Sequence, residues 1–275
     1  MKIVFRFFIF CLFVLFTLPM KAQDDFRRLS PEDAAKVLSE FRAYRMPGDF
    51  CMQFEITHYL RKSDETETCA GTLYGTWEHS VPILRIEIAR GDVKKSYLLR
   101  GGKTPELWTL DAENRPCRMD KNSTEPFFEN LIFTPFELQT PFVYWENAQY
   151  ERTRRFRGRP VHFFKMMPPE NFTAENPEIG FVRIGFDRAY NALVSAEIFG
   201  EDGRLKKTFS LSRVQKIQEQ YTIRELVLRD DTTRDKDEFL VTAAALNLRL
   251  PSDVFTPEGL SQPLPPVPER FLEKL

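Results

Sequence analysis

The residues that usually carry chemistry are few in this chain and badly placed for it. The histidines are His58, His79 and His162, far apart and without the ligand spacing or adjacent acid that metal sites use. Each reads most simply as a strand or turn residue. No serine stands in a G-x-S-x-G elbow, and no glycine-rich loop could cradle phosphate. Asp230, Asp231, Asp235, Asp237 and Glu238 offer enough carboxylate for calcium but lack the loop glycine and the alternation of ligands. They fall where strands must turn, so a solvated turn is expected. No catalytic, cofactor-binding or metal set emerges, and the expectation is a protein that is not an enzyme.

Two other concentrations could bind rather than react. Arg152, Arg154 and Arg155, followed by Arg157 and Arg159, are either the wet face of a strand or a docking patch for an acidic partner or an anionic lipid headgroup. Residues on both faces of one strand cannot all serve one patch. The larger excess is aromatic, with 26 phenylalanines in 275 residues. A β-rich core uses some of them. An amphipathic helix and a proline-broken aromatic segment laid over a curved sheet could instead leave a cavity with hydrophobic walls and few polar anchors.

The elements that would position such a cavity follow from patterning. Lys2 and Arg6 precede the apolar run Phe7–Leu18, then Pro19 and Ala22, which is the layout of a signal peptide cleaved after residue 22. An uncleaved anchor is the competing reading, although the run is short for a membrane span. Without Lys2, Arg6 and Lys21 the formal net charge of −1 becomes about −4, which argues against nucleic acid as a partner. Cys51, Cys69 and Cys117 remain, an odd number. Cys51–Cys69 is the natural pair, yet a turn near Ser63-Asp64 would not set them opposite each other. Asn122-Ser123-Thr124 and Asn171-Phe172-Thr173 match a glycosylation pattern that matters only in a eukaryotic host.

Ser30-Pro31-Glu32-Asp33 is a helix start, with a capping side chain, proline in the first turn and early carboxylates. Ala34, Val37, Leu38, Phe41 and Tyr44 recur behind it at helical spacing, to about Arg45. Phe50–Tyr59 alternates as a half-buried strand with Met52, Phe54 and Ile56 on one face. Thr68–Trp77, Ile83–Ile88, Lys95–Arg100 and Glu106–Leu110 continue a meander, with Arg85 and Glu87 facing outward. The segment 125–145 is apolar but broken by Pro135 and Pro141, and reads as a cap on a concave sheet. Strand character resumes over Glu151–Met167, and Pro168–Pro177 reads as a loop. A second meander follows in Phe181–Asp187, Leu193–Phe199, Leu205–Ile217, Tyr221–Leu228 and Glu238–Leu248, divided by polar turns. The reading is one domain over 23–262 and a proline-rich tail over 263–275.

Local phrases sharpen this into a resemblance. Arg100-Gly101-Gly102 precedes Glu106-Leu107-Trp108, and Gly158-Arg159-Pro160-Val161 leads to Pro168. Ala196-Glu197-Ile198-Phe199 is followed by Asp202-Gly203-Arg204, Phe209 and Val214, and Phe255-Thr256 leads to Leu260. Over Leu29 to Leu260 the chain resembles the LolA-like outer-membrane lipoprotein-sorting proteins. The resemblance implies a mainly β fold, a curved antiparallel sheet forming an incomplete barrel with a helical plug and an N-terminal amphipathic helix. It implies a periplasmic carrier whose cavity takes the acyl chains of lipoproteins or other lipids, with envelope membrane proteins as possible partners. A sensor or adaptor gripping a partner protein with the same half-barrel is the alternative. An arginine holding the lid is also implied, with Arg42, Arg45 and Arg85 all open. The inward faces offer Phe54, Ile56, Trp77, Leu84, Ile86, Leu98 and Trp108 as cavity wall, and the plug offers Phe133, Phe136, Phe142 and Trp145. Each could equally be core.

Overall fold

The computed structural model describes residues 26–78, 81–119, 124–187, 189, 192–217 and 219–275. The expected signal segment 1–22, His79, Asn122-Ser123 and the turn residues Arg188, Tyr190, Asn191 and Gln218 lie outside them. The helix α1 (Pro31–Ala43) starts where the sequence places it, with the Ser30 hydroxyl accepting from the Asp33 N–H at 3.1 Å. It buries Ala34, Val37 and Leu38 and ends two residues before Arg45, where Tyr44 turns extended.

Among the described residues, fourteen strands build one antiparallel sheet. The first meander comprises β1 (Asp49–Tyr59), β2 (Thr66–Glu78), β3 (Val81–Arg90), β4 (Val93–Arg100), β5 (Glu106–Leu110) and β6 (Pro116–Met119). The insert carries α2 (Pro135–Gln139) and a 3-10 turn at Pro141–Tyr144. Then come β7 (Ala148–Phe156), β8 (Arg159–Met166), the short α3 (Glu170–Glu175), β9 (Phe181–Asp187), β10 (Ala192–Phe199), β11 (Leu205–Ile217), β12 (Gln220–Asp230), β13 (Lys236–Leu248) and β14 (Glu273–Lys274). The five runs of the second meander thus appear as five strands. The strand character expected over Glu151–Met167 is the hairpin β7–β8, turning at Arg157-Gly158, and the expected loop over Pro168–Pro177 contains α3.

The spatial order is β6-β5-β4-β3-β2-β1-β13-β12-β11-β10-β9-β8-β7, so the two meanders meet along β1 and β13. That seam runs from Asp49↔Leu248 to Tyr59↔Lys236 and joins the two ends of the domain. Among the described residues β6 and β7 remain edges, and the sheet is an open trough rather than a closed barrel. The last strands separate: β12 pairs with β13 only from Glu225↔Leu240 to Arg229↔Lys236, after which β14 takes the vacant side of β13 at Ala243 and Ala244.

The trough needs room for rings on its inner floor, and two strand glycines supply it. Phe54 and Phe50 lie opposite Gly71 and Gly75 on β2. A Cβ at Gly71 would meet the Phe54 ring at 2.5 Å, and one at Gly75 would meet the Phe50 ring at 2.0 Å. Glycine weakens a strand on its own account, but here it lets the aromatic rings lie flat on the sheet. Phe54 also stacks on Phe239 across the seam, at 4.6 Å between centroids.

Three expectations need correction. Arg85 does point to the outer face, yet it is buried, because residues 251–272 fold over that face. Its guanidinium donates to the Gly259 carbonyl at 2.7 Å, to the Leu260 and Gln262 carbonyls, and to Glu87. The tail lies against the same face, with the Tyr74 hydroxyl donating to the Pro265 carbonyl at 2.6 Å and with Val254, Leu264, Val267 and Leu272 packed around Cys51 and Tyr74. Cys51, Cys69 and Cys117 are all free; Cys51 faces outward among these residues while Cys69 belongs to the inner core, so the pair lies on opposite faces. The third concerns Asp237, which is not part of a solvated turn. It is fully buried on the seam and accepts from the Ile132 N–H at 2.7 Å and the Phe133 N–H at 2.8 Å, with His58 Nδ1 at 2.6 Å from its other oxygen. Burial pushes its carboxyl above the ordinary range, against the pull of these partners.

Two measurements test this packing. Burial raises the Cys51 and Cys69 thiols to about 11, leaving a thiolate fraction of about one in a thousand at pH 8. Of these three cysteines, only Cys117 should react quickly with a thiol reagent at pH 8, and all three should react after unfolding. Replacing Asp237 by Ala strands two buried N–H donors and should cost about 3 kcal/mol in urea unfolding.

Candidate functional site

A cavity of about 350 Å³ lies between the floor of the trough and the insert. Its floor is Phe50 and Met52 of β1, Leu73 and Trp77 of β2, Leu84 of β3 and Leu99 of β4. Leu193, Phe209, Leu211, Leu226 and Phe239 form the opposite wall, and Leu138, Val143 and Tyr144 hang over it from the insert. Phe41 and Met46 close the side next to α1. The lining is almost wholly apolar, which is the chemistry of a site for a greasy guest with few polar anchors.

The structure sorts the expected wall residues. Trp77 and Leu84 line the cavity. Phe54, Ile56 and Ile86 point to the same side but are packed into the core. Leu98 and Trp108 belong to the outer face, where they pack with Ile83, Leu110, Phe255 and Leu260. Strand parity explains this: Leu98 pairs with Arg85 and Trp108, all facing outward, and it is Tyr97 and Leu99 that point in. Phe133, Phe136, Phe142 and Trp145 form the interior of the plug itself, with Phe136 5.5 Å from both Phe142 and Phe172, and Trp145 5.0 Å from Phe172. Their neighbours Leu138, Val143 and Tyr144 are the residues that face the cavity. The wall from β10 to β12 went unassigned in the sequence. Leu193, Phe209, Leu211 and Leu226 lie in the apolar runs of the second meander, and only the tertiary pairing shows what they face.

The insert is held at its margins by polar contacts. Asp237 fixes its entry to the seam. Beyond it Thr134 caps α2 in a reciprocal capping box with Glu137, whose carboxylate accepts from the Thr134 N–H at 2.9 Å and from Lys207 Nζ at 3.1 Å. Gln139 Nε2 donates to the Arg100 and Glu106 carbonyls at 2.6 and 2.9 Å, tying α2 to β4 and β5. On the helix side Arg42 donates from Nε to the Val143 carbonyl at 2.8 Å and from its terminal nitrogen to the Trp145 carbonyl at 2.7 Å. Burial lowers the pKa of this guanidinium, and nearby Tyr144 and Glu146 oppose that shift. Of the three arginines left open above, Arg42 is the one that joins α1 to the insert; Arg45 turns back to the Ala43 carbonyl and Arg85 holds the outer segment.

Inside the cavity the polar groups are sparse. Glu137 and Gln139 are already bonded as described. Thr222, on the separated end of β12, is 4% exposed, and its buried hydroxyl has no partner among the described residues. No group of three or more His, Cys, Asp or Glu side chains among the described residues could hold a metal ion.

The arginine set on β7 does not form one patch. Alternation sends Arg152 and Arg154 to one face and Arg155 to the other. Arg154 pairs with Glu197 at 3.3 Å and lies over the Phe163 ring, in a network continued by Arg183 and Glu151. Arg155 sits 5.1 Å from the Phe26 ring centroid.

A family model described as "Uncharacterized protein" matches residues 92–262. No curated protein is detectably similar in sequence. Among solved structures, the chain is similar to a domain from Vibrio parahaemolyticus described as an outer membrane lipoprotein-sorting protein domain, with 16% identity over 84% of this chain and 99% of that one, at a TM-score of 0.71. A DUF1329 family protein from Desulfovibrio piger superposes with a TM-score of 0.68 at 13% identity, covering 83% of this chain and 98% of that one. A LolA superfamily protein from Nitrosomonas europaea gives 0.58 at 15% identity, covering 81% and 97%. At these identities the shared property is the fold, a LolA-like open sheet with a helical plug.

Replacing Arg42 by Leu removes two charge-assisted bonds between α1 and the insert and should cost about 2 kcal/mol. The loss should be local: amide exchange should quicken at residues 141–146 while the β1–β13 seam keeps its protection.

Proposed function

This chain belongs to the family whose model covers residues 92–262 and has the LolA-like fold, and from that premise we propose that it is a carrier, not an enzyme, which takes an acyl chain of a lipid or a lipidated protein into the space beneath its insert. The cavity of about 350 Å³ with apolar walls carries the reading. The expected export signal in residues 1–22 and the resemblance to lipoprotein-sorting proteins support the periplasm as the place of this work, and the sorting role described for the Vibrio structure supports lipoproteins as cargo bound for the outer membrane.

The driving force is hydrophobic transfer. Each buried methylene contributes about 0.8 kcal/mol, so about ten would give about 8 kcal/mol, near micromolar affinity before ordering costs are subtracted. The cavity is at the small end of ligand sites, which span about 300–1,000 Å³, so it suits one chain unless the insert moves. Yielding of the bonds from Arg42 to the insert would widen the way out for release.

A fluorescent fatty-acid probe tests this. Wild-type protein should bind it saturably, and unlabelled long-chain fatty acid should displace it. Replacing Leu84 by Trp fills the floor and should weaken binding at least tenfold with the fold retained. A wild-type protein that takes up no probe would refute the carrier reading.

A further inference from the structure

Eight large hydrophobic side chains are exposed among the described residues, and they are not scattered evenly. Four of them, Tyr44, Val214, Tyr221 and Ile223, stand on the open side of the cavity. Tyr44 follows the end of α1. The other three sit on the facing ends of β11 and β12, where Val214 pairs with Ile223 and Lys216 with Tyr221. Single exposed apolar residues are ordinary, but a cluster that continues into an apolar cavity marks an interaction surface.

The chemistry of this lip selects its partner. Two of the four residues are tyrosines, whose apolar ring and polar tip suit the boundary between hydrocarbon and water. Arg45, Arg213 and Lys216 are exposed beside them, and their long stems let an apolar tip sink while the charges stay at phosphate level. Two of these cations are already paired, Arg213 with Glu225 and Lys216 with Glu219 at 2.6 Å, while Arg45 bonds the Ala43 carbonyl and is not cancelled by a carboxylate among the described residues. Farther round, Arg100 and Glu78 pair at 2.8 Å. The lip therefore presents grease edged by two ion pairs and one uncompensated cation, Arg45, and one such charge near an anionic surface is worth about 1 kcal/mol, a several-fold gain in binding.

We propose that this lip docks on a lipid bilayer containing anionic headgroups, with the ends of β11 and β12 and Tyr44 entering the interface. An acyl chain then passes between the membrane and the cavity without crossing water. The inference deepens the carrier reading and rests on it for the route of the guest, but docking is measurable separately.

The test is co-sedimentation of the purified protein with vesicles of phosphatidylcholine, with and without one quarter phosphatidylglycerol. Binding should be several-fold stronger with the anionic lipid and should weaken as salt rises from 0.1 to 0.5 M, since exposed charges are screened. The double variant Val214→Asp with Ile223→Asp should lose at least tenfold in vesicle binding, with its fold checked by circular dichroism. Tyr44→Ser, on the other side of the mouth, should also weaken vesicle binding, so the inference survives a double variant that fails to fold. Absence of wild-type binding to anionic vesicles, or unchanged binding in a folded double variant and in Tyr44→Ser, would overturn it. Vesicle binding by a protein that takes up no probe would uphold docking and count against the carrier reading.

Discussion

The arrangement depends on how the insert is attached: polar contacts at its margins fix it above an interior that its own rings fill only in part, with Phe127 against Tyr97 and Phe133 against Phe239. Asp237 receives two N–H groups at its entry, Gln139 bonds two carbonyls along its length, and Arg42 holds two more where it meets α1. Such bonds have fixed length and direction, and breaking one leaves a buried group unsatisfied. They set the height of the plug above the sheet. An apolar contact would impose no such spacing, and a plug held only by grease would settle until the space closed.

The sheet supplies the other half of the constraint. Its first and last long strands pair along one seam, and the same seam carries Asp237 opposite His58. The bolt for the insert is therefore driven into the join between the two meanders, and loss of either weakens the other. On the outer side residues 251–272 cover Arg85 and Tyr74. Both faces of the central strands are thereby occupied, which stiffens the floor against which a guest would lie. The separated ends of β12 and β13 lie at the opposite extreme, with short pairing and exposed side chains, and the cavity opens there.

Much of this was legible from local pattern. Apolar runs divided by polar turns placed the five strands of the second meander to within two residues, Ser30-Pro31 marked the helix start, and Pro135 and Pro141 marked the breaks in the insert. What stayed hidden was non-local. Periodicity gives two faces to a strand but does not say which face of β4 and β5 turns inward, and Leu98 and Trp108 fell on the other side. Arg85 reads as a solvent-facing strand residue until a segment about 170 positions later covers it. Asp237 sits in a run of acids that looks like a turn, and only the pairing of β1 with β13 reveals it as a buried anchor. The plug aromatics were identified correctly as apolar, yet the residues facing the cavity are their neighbours, a distinction set by packing inside the insert.

The central claim is that the space under the insert holds a guest. Native mass spectrometry of protein purified from its own envelope without detergent tests it most directly. The account predicts a population heavier than the chain by the mass of one acyl-bearing molecule, released on denaturation. A spectrum showing the bare chain alone, or the chain with a stoichiometric polypeptide and no lipid, would contradict it.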